Sequence, residues 1–144
     1  MVRDSDSQPI LIIDQDEVVR DSLKALLESH GFAVRSFRDA DEFLGVAELP
    51  KGSCLILGFN RHIVEGLNLL RVLRKRSAAL PVIFIVGVGS NATKAAVSAA
   101  GAFAYLERPI AESALMQTIR SAAAQHDQAE AKSSAPPEAL PDPS

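Results

Sequence analysis

Five apolar runs, each followed by a segment with helical spacing, constrain this chain more than any other feature. Ile10-Leu11-Ile12-Ile13, Cys54-Leu55-Ile56-Leu57 and Val82-Ile83-Phe84-Ile85-Val86 are unbroken by polar residues. Such continuity marks strands buried on both faces, the condition inside a parallel sheet covered by helices on each side. Phe32–Phe37 instead alternates Phe32, Val34 and Ser36 with Ala33, Arg35 and Phe37, which suits a more exposed strand near an edge. The fifth run is Ala102-Phe103-Ala104-Tyr105-Leu106. Strict alternation of strand and helix predicts an α/β fold: a five-stranded parallel sheet with five helices, doubly wound, its crossovers right-handed.

The intervening segments supply the helices. Val19, Leu23, Leu26 and Leu27 recur among Arg20, Asp21, Lys24 and Glu28, and Gly31 ends that helix just after His30,. His30, in a last helical turn, suits the negative end of the helix dipole. A short helix starts at Asp39-Ala40-Asp41 and closes near Pro50 and Gly52. Leu67, Leu70 and Leu73 face one way on the third helix, whose end carries Arg71, Arg74, Lys75 and Arg76, the position the dipole favours for cations,. The fourth, Ala92–Ala100, is alanine-rich and stops at Gly101; the fifth presents Leu115, Ile119 and Ala122 inward.

The 144 residues suit one domain, expected over residues 9–125 after a polar N-terminal tail at 1–8,. From His126 the apolar periodicity fades and Pro136, Pro137, Pro141 and Pro143 join Ser, Ala and acids, so 126–144 are expected to be a disordered tail,. No output module is expected after it. That tail holds Asp127, Glu130, Glu138 and Asp142 against Lys132, which accounts for the net charge of -3 and leaves the body neutral. A neutral body gives no electrostatic reason to bind nucleic acid. No apolar stretch approaches the roughly 20 residues that span a bilayer, and the start of the chain does not read as a signal peptide, so the expected compartment is cytoplasmic. Cys54, the single cysteine, reads as a small core residue,.

In open parallel sheets, ligands bind beyond the carboxyl ends of the strands. Here those ends carry Asp14-Gln15-Asp16-Glu17, Gly58-Phe59, Val86-Gly87 and Glu107-Arg108-Pro109. With Ile13-Asp14 to Glu17 leading into Val19-Arg20-Asp21-Ser22-Leu23, and with Leu80-Pro81-Val82-Ile83-Phe84, Ala100-Gly101-Ala102 and Tyr105 to Pro109, the chain resembles the receiver domains of bacterial two-component response regulators over residues 9–124. The resemblance implies a flavodoxin-like fold and a signalling protein rather than an enzyme. It also implies a five-part site: two acids holding Mg²⁺, an aspartate that accepts a phosphoryl group, a Thr or Ser, and a Lys. Mg²⁺ needs an octahedron of oxygen ligands, and phosphoryl transfer needs a nucleophile with cations to absorb developing charge.

Carried across, Asp14 keeps the first acid, Gln15 stands for the second, Gly58 stands at the phosphoacceptor position, Val86 replaces the Thr or Ser, and Arg108 replaces the Lys. The expectation is therefore a degenerate phosphorylation pocket formed by Asp14, Gln15, Asp16, Gly58, Val86 and Arg108, with no catalytic residue, no cofactor, and Mg²⁺ binding lost or weak. Arg108 is expected to pair with Asp14 or Asp16 and to fill the space of the missing ion and phosphate, since a guanidinium can bridge carboxylates in a planar arrangement. Tyr105 stands at the aromatic switch position of the family. The face of the fourth helix, fifth strand and fifth helix is the one the family uses to dimerise or to meet partners. The resemblance so implies a pseudo-receiver that acts by binding a protein such as a sensor histidine kinase or another response regulator, with a homodimer through that face as a further option.

Two other readings remain. A phosphorelay receiver could use an unconventional acceptor, for which Asn60, His62 and Asp16 are poor candidates. A nucleotide-binding domain is suggested by Gly87-Val88-Gly89-Ser90-Asn91-Ala92 with Glu107 after it,. That fingerprint normally opens the first strand-helix unit, whereas here it falls in the fourth.

Overall fold

The computed structural model describes residues 9–45, 54–59, 63–76, 80–87 and 91–133. In chain order it forms β1 (Ile10–Asp14), α1 (Glu17–Ser29), β2 (Val34–Phe37), α2 (Ala40–Leu44), β3 (Cys54–Phe59), α3 (Ile63–Arg76), β4 (Val82–Val86), α4 (Asn91–Ala99), β5 (Ala104–Glu107) and α5 (Glu112–Ser133). All pairings are parallel and the sheet order is β2-β1-β3-β4-β5. The alternating strand is therefore the edge strand β2, and the uninterrupted runs β1, β3 and β4 fill the centre, as their burial on both faces demands.

Successive side chains of each strand point to opposite faces, which divides the core into two layers. Leu11, Ile13, Leu55, Leu57, Val82 and Phe84 pack with Phe43, Leu70, Leu73 and Val97 under α2, α3 and α4. Ile10, Ile12, Cys54, Ile56, Ile83 and Ile85 pack with Leu27, Leu115, Met116, Ile119 and Ala122 under α1 and α5. Cys54 is fully buried, and desolvation pushes its thiol up to about 12, so it is inert packing as read from the sequence,.

Helix ends follow local chemistry. Asp16 caps α1, its Oδ1 accepting from the backbone N–H groups of Val18 and Val19 at 2.9 and 3.3 Å,. Asp39 caps α2 through the Glu42 N–H at 2.8 Å, while Glu42 Oε1 accepts from the Arg38 N–H at 2.6 Å, close to a capping box. Gly31 and Gly101 take φ of +93° and +101°, where a Cβ is disfavoured, and so end α1 and α4,. Arg74 differs from the dipole reading of its cluster: its Nη2 donates to the Gly101 carbonyl at 3.0 Å, so it serves the end of α4 rather than that of its own helix. His30 also has a specific partner, Glu112 Oε2 at 2.8 Å, which ties the end of α1 to the first turn of α5.

One boundary needs correction. Helix α5 continues to Ser133, so residues 126–133, expected to belong to a disordered tail, are helical. Loss of apolar periodicity removes the packing signal, but the Gln, Ala, Glu and Lys of 128–132 are good helix formers, and extending an existing helix needs no new nucleus. The tails at 1–8 and 134–144, and the turn at Pro50 and Gly52, lie outside the described residues.

Candidate functional site

Parallel pairing in register places Asp14 of β1 beside Gly58 of β3. Both belong to the strand face that carries Ile10, Ile12, Cys54 and Ile56, the face covered by α1 and α5,. Asp14 is a buried charged residue, 5% exposed. Its Oδ1 accepts from the Asp16 N–H at 2.9 Å, and its backbone carbonyl accepts from Arg20 Nη1 at 2.7 Å. Its Oδ2 lies 3.5 Å from Arg108 Nη2. Burial raises the Asp14 carboxyl above its ordinary value; the Asp16 N–H and the Arg108 charge pull the other way without offsetting it,.

Gly58 has a steric meaning that the sequence does not reveal. A Cβ built on it would overlap Asp14 Oδ2 and lie 2.9 Å from Asp14 Cγ. The first acid therefore leans into the volume where a side chain on β3 would begin. Arg108, just after β5, is held by its own N–H donating to the Val86 carbonyl at 2.9 Å. Asp14, Gly58 and Arg108 are thus one cluster at the carboxyl ends of three strands, and the pairing expected of Arg108 is with Asp14. Asp16 is spent on the α1 cap.

The other expected pocket residues sit apart. Gln15 is exposed and lines a separate cleft of about 270 Å³ with Asp39, Asp41, Glu65 and Asn68. Val86 is 4% exposed and by alternation follows Val82 and Phe84 into the layer under α2, α3 and α4,. Tyr105 packs against that same layer. Its hydroxyl is enclosed and has no hydrogen-bond partner among the described residues; burial and the Glu107 charge raise its pKa. Asn60, His62 and the Val88-Gly89-Ser90 part of the glycine-rich turn lie outside the described residues.

Among the described residues only Asp14 offers a carboxylate at the cluster, Gln15 lines another cleft, and Asp16 caps α1. Among the described residues no three His, Cys, Asp or Glu side chains group for a metal ion, and Mg²⁺ demands several well-placed oxygens.

A feature absent from the sequence reading is an apolar cleft of about 600 Å³ between α1 and the β5–α5 connection, lined by Val18, Leu23, Leu26, Pro109, Ile110 and Leu115 together with Arg108. Val18 on α1 is 73% exposed. Helical spacing marks Leu23 and Leu26 as inward-facing, but only Leu27 of α1 is fully buried. Leu23 and Leu26 pack partly against the core and also line this cleft, a difference of degree that periodicity does not carry.

The family model described as the response regulator receiver domain matches residues 10–120. The transcriptional regulatory protein FixJ of Azorhizobium caulinodans is 33% identical over 116 residues, 81% of this chain and 55% of that protein. The response regulator protein TmoT of Ectopseudomonas mendocina is 35% identical over 114 residues, 78% of this chain and 51% of its own. The chain therefore spans about half the length of the curated relatives it matches. In three dimensions it resembles crystalline FixJ-N, with a TM-score of 0.72 and 29% identity over 82% of this chain and 94% of that one. Full-length FixJ from B. japonicum gives a TM-score of 0.74 at 31% identity, over 86% of this chain and 61% of that one.

Proposed function

The chain belongs to the response regulator receiver domain family, and from that premise we propose that it is a receiver which signals by binding another protein, without aspartyl phosphorylation. The observation that carries this reading is Gly58. No side chain stands there to accept a phosphoryl group, and the Asp14 carboxylate fills the space where one would begin. Val86 has no hydroxyl to hold a phosphoryl oxygen, and among the described residues no group of acids assembles a Mg²⁺ ligand set. A sensor histidine kinase or another response regulator is the fitting class of partner, bound as a substitute for a phosphorylated receiver or in competition with one.

The test is direct. Incubation with a small-molecule phosphodonor and Mg²⁺ should leave the intact mass unchanged, whereas a gain of about 80 Da, one phosphoryl group, would sink the reading and favour an unconventional acceptor. Affinity capture from native cells then locates the binding face. Substitutions on α4, β5 and α5 and the substitution Val18→Asp on the α1 cleft should separate in effect, with one set abolishing capture of the partner. Binding of a partner by the wild type that neither set weakens would count against both faces. Unchanged thermal stability at saturating NAD, FAD or ATP would dispose of the nucleotide-binding alternative.

A further inference from the structure

We infer that the Asp14 carboxylate is a built-in anion that positions the β5–α5 connection through Arg108, supplied from β1 into the volume that a side chain on β3 has left. This deepens the phosphorylation-independent reading and rests on it. The orientation of Asp14 is available only because position 58 is glycine: with a Cβ there, Oδ2 would have to rotate away. In the present orientation the two carboxylate oxygens have separate tasks. Oδ1 receives the Asp16 N–H and orders the β1–α1 turn, while Oδ2 reaches across the end of β3 toward Arg108.

Arg108 carries the effect onward. Its N–H holds the chain to Val86 at the end of β4, its guanidinium is within ion-pair distance of Asp14, and the residue also lines the apolar cleft beside Pro109 and Ile110. The wall of the cleft is thus set by where the anion stands. Burial disfavours the charge on Asp14, so the charge is not there to stabilise the fold, and buried charges of that kind concentrate where they serve a specific arrangement. Positions 14, 58 and 108 consequently act as one unit on three different strand ends.

The experiment is amide hydrogen exchange on the full chain, comparing the wild type with Asp14→Asn, Gly58→Ala, Arg108→Ala and the Asp14→Asn/Arg108→Ala double variant. Asparagine keeps an oxygen for the Asp16 N–H and removes only the charge. Each single variant should accelerate exchange at residue 108, whose N–H donates to the Val86 carbonyl, by about tenfold or more while Ile12 and Ile56 keep their protection, and the double variant should be no faster than the singles. Exchange at residue 108 within about twofold of wild type in Asp14→Asn would overturn the inference, as would equal acceleration at Ile12 and Ile56, which would make the pair a general packing contact. These outcomes are separable from the phosphorylation test: a phosphorylated wild type sinks the functional reading, whereas unchanged exchange sinks only the role of the anion.

Discussion

At the scale of single residues, the decisive fact is that burial opposes the charge on Asp14. Its folded pKa is raised above the ordinary 3.8, so the folded state binds more protons than the unfolded one in the window between these two values. Stability from this group is full below 3.8 and is lost as pH rises through the folded pKa,. Asp14→Asn should remove that loss: its urea midpoint should hold steady across the window where that of the wild type falls, and a wild type that gains on the variant there would contradict the assignment. Gly58→Asp is expected to stay unphosphorylated by a small phosphodonor. The new side chain meets the Asp14 carboxylate both sterically and as a like charge, and Gln15 and Val86 remain as they are. Ready phosphorylation of that variant would mean a less altered pocket. The identity of Gly58 was plain in the sequence, but its partnership with Asp14 was not, because overlap depends on rotamer and register rather than on residue type.

At the scale of elements, α2 shows how little holds a short helix. It has five residues, Ala40–Leu44, its Asp39 cap and one fully buried anchor, Phe43, whose ring meets Phe37 edge-on at 5.1 Å between centroids. Asp39→Ala should cost about 1 kcal/mol by removing an N-cap. Phe43→Ala should cost about 3–5 kcal/mol by emptying a packed site. Denaturant titration that ranks them the other way would place the stability of α2 in its cap instead of its anchor. Strands and helices were legible as elements because periods of two and of 3.6 residues leave different apolar patterns. What an individual helix faces was less so. Leu23 and Leu26 of α1 share an apolar pattern with Leu27, yet only Leu27 is fully buried, while Leu23 and Leu26 pack partly against the core and also line a cleft.

For the whole molecule, one sheet carries both core layers, so the two faces are mechanically shared and the domain is expected to unfold in a single transition. Among the side chains described, the buried core ends at Ala122. A chain ending after Gln125 should therefore keep its thermal midpoint within about 2 °C of the full chain, a change equivalent to less than about 1 kcal/mol; a larger drop would show that residues 126–144 contribute to the fold. The sequence alone determined the fold class, the edge position of β2, the central place of β1, β3 and β4, and the identities of the residues at the strand ends, since all of these follow from local chemistry and burial patterns. Only the tertiary structure decided which of those residues meet. Gln15 and Val86 went to separate surroundings, Asp16 to a helix cap, and Asp14 to the space above Gly58 within reach of Arg108. Such grouping depends on strand register and on which face of the pleat each side chain takes, and those are set by the packing of the whole sheet rather than by any one segment.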